Sequence, residues 1–149
     1  MITERQFCTF HVGDLLLGIE VMQVQEVVRA QPMTRVPLAH HTVRGLLNLR
    51  GRIVTAFDLR ERLGLPALEG SRVSMNVVIR TPEGVVSLLV DDIGDVLDAE
   101  AADYEDPPET LAPAARECIR GVYKLPDQLL LVLDTEQALN PEPTGVAGR

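Results

Sequence analysis

Part of this chain is written twice. Residues 43–64 align without a gap on residues 119–140, at a constant offset of 76. Arg44/Arg120, Gly45/Gly121, Leu49/Leu125, Asp58/Asp134 and Leu63/Leu139 are identical pairs. Upstream, residues 18–28 align on 87–97 at an offset of 69, and the extra residues of the second copy fall in the acidic stretch 98–117. A repeat of this kind is one supersecondary unit used twice, and neither copy can bury its apolar face alone. Each copy reads as hairpin, loop, hairpin, short helix. Two small β-barrels built on one plan are expected.

The apolar runs fit that reading. Most are five to eight residues long and are separated by turn signals, the signature of a mainly β chain. Segments 6–12 and 15–19 form one expected hairpin across Gly13-Asp14, and 73–80 and 85–90 another across Pro82-Glu83-Gly84. Segments 46–49 and 52–58 meet at Arg50-Gly51, and 119–125 and 128–133 at Pro126-Asp127. Glycine supplies positive φ at such turns and proline presets φ. Short helices are expected over 58–63 and 134–139, with Asp58 and Asp134 as N-caps. The run 129–133 is apolar on both faces, as is Ile53-Val54, so each needs cover from its own barrel and from the other barrel or a partner.

At 149 residues the chain is long enough for one domain or two fused small barrels, and a chain of this size buries roughly 68–70% of its unfolded surface. The net charge of −8 argues against nucleic acid and anionic membranes, both of which reward a basic surface. There is no Trp to act as a stacking platform for bases. The first six residues lack the basic and then apolar regions of a signal peptide, and the run 129–133 is far too short to span a bilayer. Cys8 and Cys118 stand apart with no metal or redox spacing. These features describe a cytoplasmic chain with free thiols.

Several motifs suggest chemistry and then lose it. Leu88-Leu89-Val90-Asp91-Asp92 resembles the strand-end acidic pair that holds Mg²⁺ in receiver domains. A receiver also needs two later strands and a helix, and only fifteen residues follow Asp134. The repeat explains Asp134 as a cap. His40-His41 have no third ligand at metal spacing, and His11 reads as an exposed strand residue. No nucleophile elbow or phosphate loop is present, and the acidic stretch 100–109 reads as a solvated loop. No catalytic residue, cofactor or metal site is expected.

The segment Arg44-Gly45-Leu46-Leu47-Asn48-Leu49-Arg50-Gly51-Arg52-Ile53-Val54-Thr55-Ala56-Phe57-Asp58-Leu59-Arg60 resembles the signature of the CheW family: a Gly, then Asn-Leu-Arg-Gly, an aliphatic strand, and Asp-Leu-Arg. Gly18-Ile19-Glu20, Val24-Gln25-Glu26-Val27, Val77-Val78-Ile79 and Val90-Asp91-Asp92-Ile93-Gly94-Asp95-Val96-Leu97 extend the likeness in one register over residues 6–139. Thr55 stands where the family usually has Pro, and Ser87 where it often has Gly. The resemblance implies a mainly β fold of two SH3-like five-stranded β-barrel subdomains on a shared hydrophobic core, with short helices. It makes residues 1–149 a single CheW-like domain, with subdomains 15–71 and 1–14 plus 72–149. It further implies a non-catalytic adaptor that couples methyl-accepting chemoreceptors to a CheA-type histidine kinase, recruited to receptor arrays at the inner face of the membrane. The partners would be the kinase regulatory domain and the cytoplasmic tip of the receptor. By matching positions, Val24, Glu26, Gly45, Arg50, Val77, Val78 and Val96 are the expected partner-contact or signalling residues. Among them the charged Glu26 and Arg50 are the stronger candidates, since charges are rarely buried unpaired. The same fold would also serve a related pathway controlling pilus motility or surface sensing; a small ligand-binding β-barrel is the contrasting class.

Overall fold

Each turn signal closes a hairpin. In the computed structural model, which describes residues 4–66 and 74–140, β1 (Glu4–Val12) pairs with β2 (Leu15–Glu20) across Gly13-Asp14. A 3₁₀ turn, Val21–Gln23, leads into β3 (Val24–Arg29). The hairpin of β4 (Val43–Leu49) and β5 (Arg52–Asp58) runs into α1 (Leu59–Arg62). β6 (Met75–Thr81) pairs with β7 (Gly84–Val90), and β8 (Asp92–Glu100) follows after one residue; Val73, the expected start of β6, lies outside the described residues. The two-residue β9 (Tyr104–Glu105) precedes α2 (Pro113–Cys118), the hairpin of β10 (Ile119–Lys124) and β11 (Leu129–Leu133), and α3 (Thr135–Leu139).

The strands form two sheets. The first has the order β8-β1-β2-β11-β10-β9 and the second β3-β6-β7-β5-β4. The orders match strand for strand under the two sequence offsets, and so do the registers. Leu17 pairs with Leu131 in the parallel β2–β11 contact, as Val86 pairs with Thr55 in β7–β5. The bulge between Val24 and Glu26 against β6 recurs opposite β1 in β8, and the bulge between Val43 and Gly45 recurs between Ile119 and Gly121. Asp58 caps α1 by accepting from the Glu61 N–H and Asp134 caps α3 by accepting from the Gln137 N–H, as expected. Each cap also faces the repeated arginine, Arg44 at 3.5 Å and Arg120 at 3.9 Å. A bulge conserved between copies is part of the plan, since it bends the strand and turns the sheet toward closure.

Each sheet curls back on itself. Thr34, beyond β3, bridges Leu46 of β4 with two 2.8 Å hydrogen bonds, and Glu105 of β9 occupies the matching place opposite Val122. The stretch 100–109, read from composition as solvated loop, thus contributes a strand. Tyr104 makes the difference: its ring packs on Tyr123 at a 5.0 Å centroid distance, and its hydroxyl donates to the Arg120 carbonyl. Sheet membership also groups β1 with β2, and β6 and β7 with β3–β5, so the hairpin β1–β2 crosses the 14/15 division expected from sequence. The 71/72 division lies outside the described residues.

Among the described residues, three apolar clusters form the interior. Phe7, Leu16, Tyr123, Leu130 and Val132 fill the first sheet, and Leu47, Leu49, Val54, Ala56 and Val78 the second. The largest cluster lies between the sheets and draws on both, with Phe10, Leu17, Val77, Ile79, Leu88 and Leu131 among its members. β11 shows why its sequence does not alternate: Leu130 and Val132 face the barrel interior, while Leu131 and Leu133 face the common core. Ile53 departs from that pattern and is exposed.

Both cysteines are free thiols, Cys118 buried and Cys8 half-buried. Desolvation pushes the Cys118 thiol up to about 11, and the Cys8 thiol also lies above its ordinary value. Because the thiolate is the reactive form, native protein at pH 8 should resist alkylation at Cys118 until denaturant is added. Rapid native-state labelling at Cys118, read by mass spectrometry, would contradict this burial.

Candidate partner-binding site

The β4–β5 hairpin is joined by Arg50 and Gly51, with φ of 54° and 84°. Positive φ at both central residues is the type I′ turn that suits the twist of paired strands. Gly51 takes this conformation freely; Arg50, a long side chain in left-handed backbone, does not. The turn is steadied by Asn48, whose side-chain oxygen accepts from the Gly51 N–H at 2.8 Å.

This turn lifts the Arg50 side chain over the sheet edge to Glu26 on β3. The Arg50 Nη1 donates to Glu26 Oε2 at 2.5 Å, with the arginine side chain 70% and the glutamate 19% exposed. The hydrogen bond from Arg50 holds the Glu26 carboxyl below its ordinary value, and Glu26 in turn raises the guanidinium. The pair is therefore intact above the lowered Glu26 pKa and breaks as the pH falls through it. A cleft of about 460 Å³ opens beside the pair, lined by Gln25, Arg52, Ile53 and Glu83 among others. An exposed arginine, paired with a half-buried glutamate and next to an uncovered Ile, is a surface with both a charge and an apolar contact to offer.

The other expected residues divide by burial. Val96 on β8 is 57% exposed, and Val27, its repeat mate on β3, is also exposed. Val96 lies on the first sheet and the Glu26–Arg50 pair on the second. Val77 and Val78 are 1% and 0% exposed, in the common core and the second sheet's interior. No partner reaches them in the folded chain, and a direct contact role for either is corrected to one in packing. Val24 is half-buried against the common core. Gly45 is buried, and a Cβ there would meet the Thr34 carbonyl oxygen at 2.7 Å, so it too serves shape. Thr34 crosses Gly45 as Tyr104 crosses Gly121, which explains why the glycine is repeated.

Gly45→Ala should lower stability by about 1–3 kcal/mol, the usual cost of overpacking, because the obstacle is backbone. Gly121→Ala should cost less, since a Tyr104 side chain can swing away. Equal urea midpoints for both variants and wild type would refute the close approach. Sequence reasoning left Ile53 between cover by the other barrel and cover by a partner, and passed over Val27 as a surface residue. Val27 was findable, since the repeat sets it opposite Val96. Ile53 carried no signal that separates an uncovered residue from a covered one.

Among the described residues no group of three or more His, Cys, Asp or Glu side chains could hold a metal ion, and no helix is long and apolar enough to cross a membrane. Asp91, one of the acidic pair at the end of β7, accepts from Arg60 and from the Gly13 N–H. His40 and His41 stack at 4.2 Å in the loop before β4, and His41 pairs with Glu61.

The family model described as CheW-like domain matches residues 6–142. The chain is 29% identical to chemotaxis protein CheW of Klebsiella aerogenes over 138 residues, covering 93% of this chain and 83% of that one. It is 29% identical to chemotaxis protein CheW of Bacillus subtilis, covering 94% and 90%, and 32% identical to protein FrzA of Myxococcus xanthus, covering 81% and 75%. The crystal structure of scaffolding protein TtCheW from Thermoanaerobacter tengcongensis has the same fold, with a TM-score of 0.78, 23% identity and 89% of each chain covered. A match that begins in β1 and ends beyond α3 takes in both copies of the repeat, and the chain belongs to the CheW-like family of chemotaxis proteins.

Proposed function

We propose that this chain is a non-catalytic adaptor of chemotaxis signalling, which holds the regulatory domain of a CheA-type histidine kinase against the cytoplasmic tip of a methyl-accepting receptor. It works at the receptor arrays on the inner face of the cell membrane. The observation that carries the reading is that both sheets around one packed core present exposed candidates. The second sheet offers Glu26, Arg50 and Ile53; the first offers Val96. An adaptor needs two such surfaces and no reaction centre between them, and here the space between is filled by close-packed side chains. Coupling in a related pathway, for pilus motility or surface sensing, is a second reading, supported by the likeness to protein FrzA.

Calorimetric titration with a purified regulatory domain, and separately with a receptor-tip fragment, tests the proposal. Saturable binding to each is expected, with both surviving in a three-component mixture. Binding to neither would overturn it.

A further inference from the structure

A cleft of about 380 Å³ opens into the first barrel. Phe7, Tyr104, Tyr123 and Val132 wall it, and Arg5 and Arg120 line it as well. Phe7, Tyr123 and Val132 belong to that sheet's own interior, and no lining residue belongs to the cluster between the sheets. Arg5 stands two residues before Phe7, on the same face of β1.

The second copy fills the same place with other groups. The repeat puts Leu47 for Tyr123, Asn76 for Phe7, Ala56 for Val132 and Ser74 for Arg5. Met33 packs there against the cluster that holds Leu47 and Ala56. A leucine therefore suffices to close a barrel of this plan, and a tyrosine at 123 is not what the fold requires.

Tyr123 is 5% exposed. Among the described residues its hydroxyl has no hydrogen-bond partner, whereas the Tyr104 hydroxyl donates to the Arg120 carbonyl at 3.2 Å. A buried hydroxyl left without a partner is costly, and a buried tyrosine usually brings its O–H to one. Burial pushes the Tyr123 hydroxyl above its ordinary value and the Arg5 charge opposes that, so a protonated, donating hydroxyl stands beside a guanidinium. Arg5 uses one nitrogen on Glu20, at 2.8 Å, and Arg120 stands 3.9 Å from Asp134. A guanidinium carries five N–H donors, so both keep donors for a further acceptor. No carboxylate lines the cleft.

We propose that this cleft binds a small carboxylate with a ring-sized apolar body. The body lies among Phe7, Tyr104, Tyr123 and Val132, and the head takes donors from Arg5, Arg120 and the Tyr123 hydroxyl. Aromatic walls accept an apolar body, while charges of one sign select an anion. Planar guanidinium forks match a carboxylate. The volume lies at the lower end for small-molecule sites, which suits one ring with a short acidic head. Binding here needs neither partner of the adaptor reading and is measured on the free chain, so either can fail alone.

Cyclohexanecarboxylate is the probe, because it is transparent where tyrosine absorbs. Tyr104 and Tyr123 are the chain's two tyrosines, and it has no Trp, so the intrinsic emission reports on this cleft. Titration should change that emission saturably with a Kd of about 1 mM, a fragment's affinity, and calorimetry should return the same constant. Cyclohexylmethanol keeps the body without the charge, and acetate keeps the head without the body; each should bind at least about tenfold more weakly. By calorimetry, Tyr123→Phe should bind the probe about fivefold more weakly and Arg5→Gln about tenfold. Tyr123→Phe should melt no lower than wild type, since it removes a hydroxyl that the fold does not use. A flat titration, cyclohexylmethanol binding as tightly as the acid, or unchanged affinity in either variant would overturn the proposal. So would a lower melting point for Tyr123→Phe, which would give the hydroxyl a structural partner.

Discussion

Leu131→Ala should lower stability by about 2–5 kcal/mol, the range for truncating a buried leucine. The side chain is 4% exposed and stands in the cluster between the sheets. Its backbone partner Leu17, across the parallel β2–β11 contact, faces the same core. A cavity there removes contacts from both copies of the repeat at once, and neither sheet can collapse to fill it without leaving its own interior. The loss is read as a shift of the urea midpoint at unchanged slope. A wild-type midpoint would mean that the sheets do not share this core.

Arg50→Glu should leave the fold nearly untouched and abolish coupling. The side chain is exposed, and surface substitutions usually shift stability by about 0.5 kcal/mol or less. The charge reversal turns an ion pair into two facing carboxylates, so Glu26 loses its donor and its pKa should rise. Truncating one partner of a buried charged contact across an interface typically costs about 2–5 kcal/mol, or roughly 30-fold or more in affinity. A variant that melts like wild type but fails to bring receptor and kinase together would place Arg50 at the contact. One that unfolds would make the Arg50–Glu26 pair structural, and one that couples normally would remove Arg50 from the contact.

Most of the architecture was legible because the repeat exposes it. The identical Gly45/Gly121 and Asp58/Asp134 pairs mark a close approach and a cap in each copy. The unbroken apolar run of β11 announces cover on two sides. The strands β3 and β8 were harder, since each is an edge strand with a bulge and keeps no clean alternation: Glu26 and Asp95 interrupt it. β9 is two residues long, held by a tyrosine ring over a glycine, and local composition says only that the stretch is acidic. The candidate site was legible in part. Charge separated Glu26 and Arg50 from the rest, because a charged side chain in a strand or turn seeks the surface. Valine carries no such mark: Val77 and Val78 are core, Val96 is exposed, and only the assembled sheets distinguish them. The turn held a further surprise. Gly51 was expected to carry its geometry, whereas Arg50 shares the left-handed backbone, so the residue offered to a partner is also held in a strained conformation.

The most direct test of the adaptor account is a reconstitution in which receptor-tip assemblies and a CheA-type kinase are sedimented together, with and without this chain, while kinase activity is followed. With the chain present, the kinase should sediment with the receptor and its activity should follow the receptor's ligand state; without it, both should be lost. Equal sedimentation and equal receptor control in its absence would contradict the account.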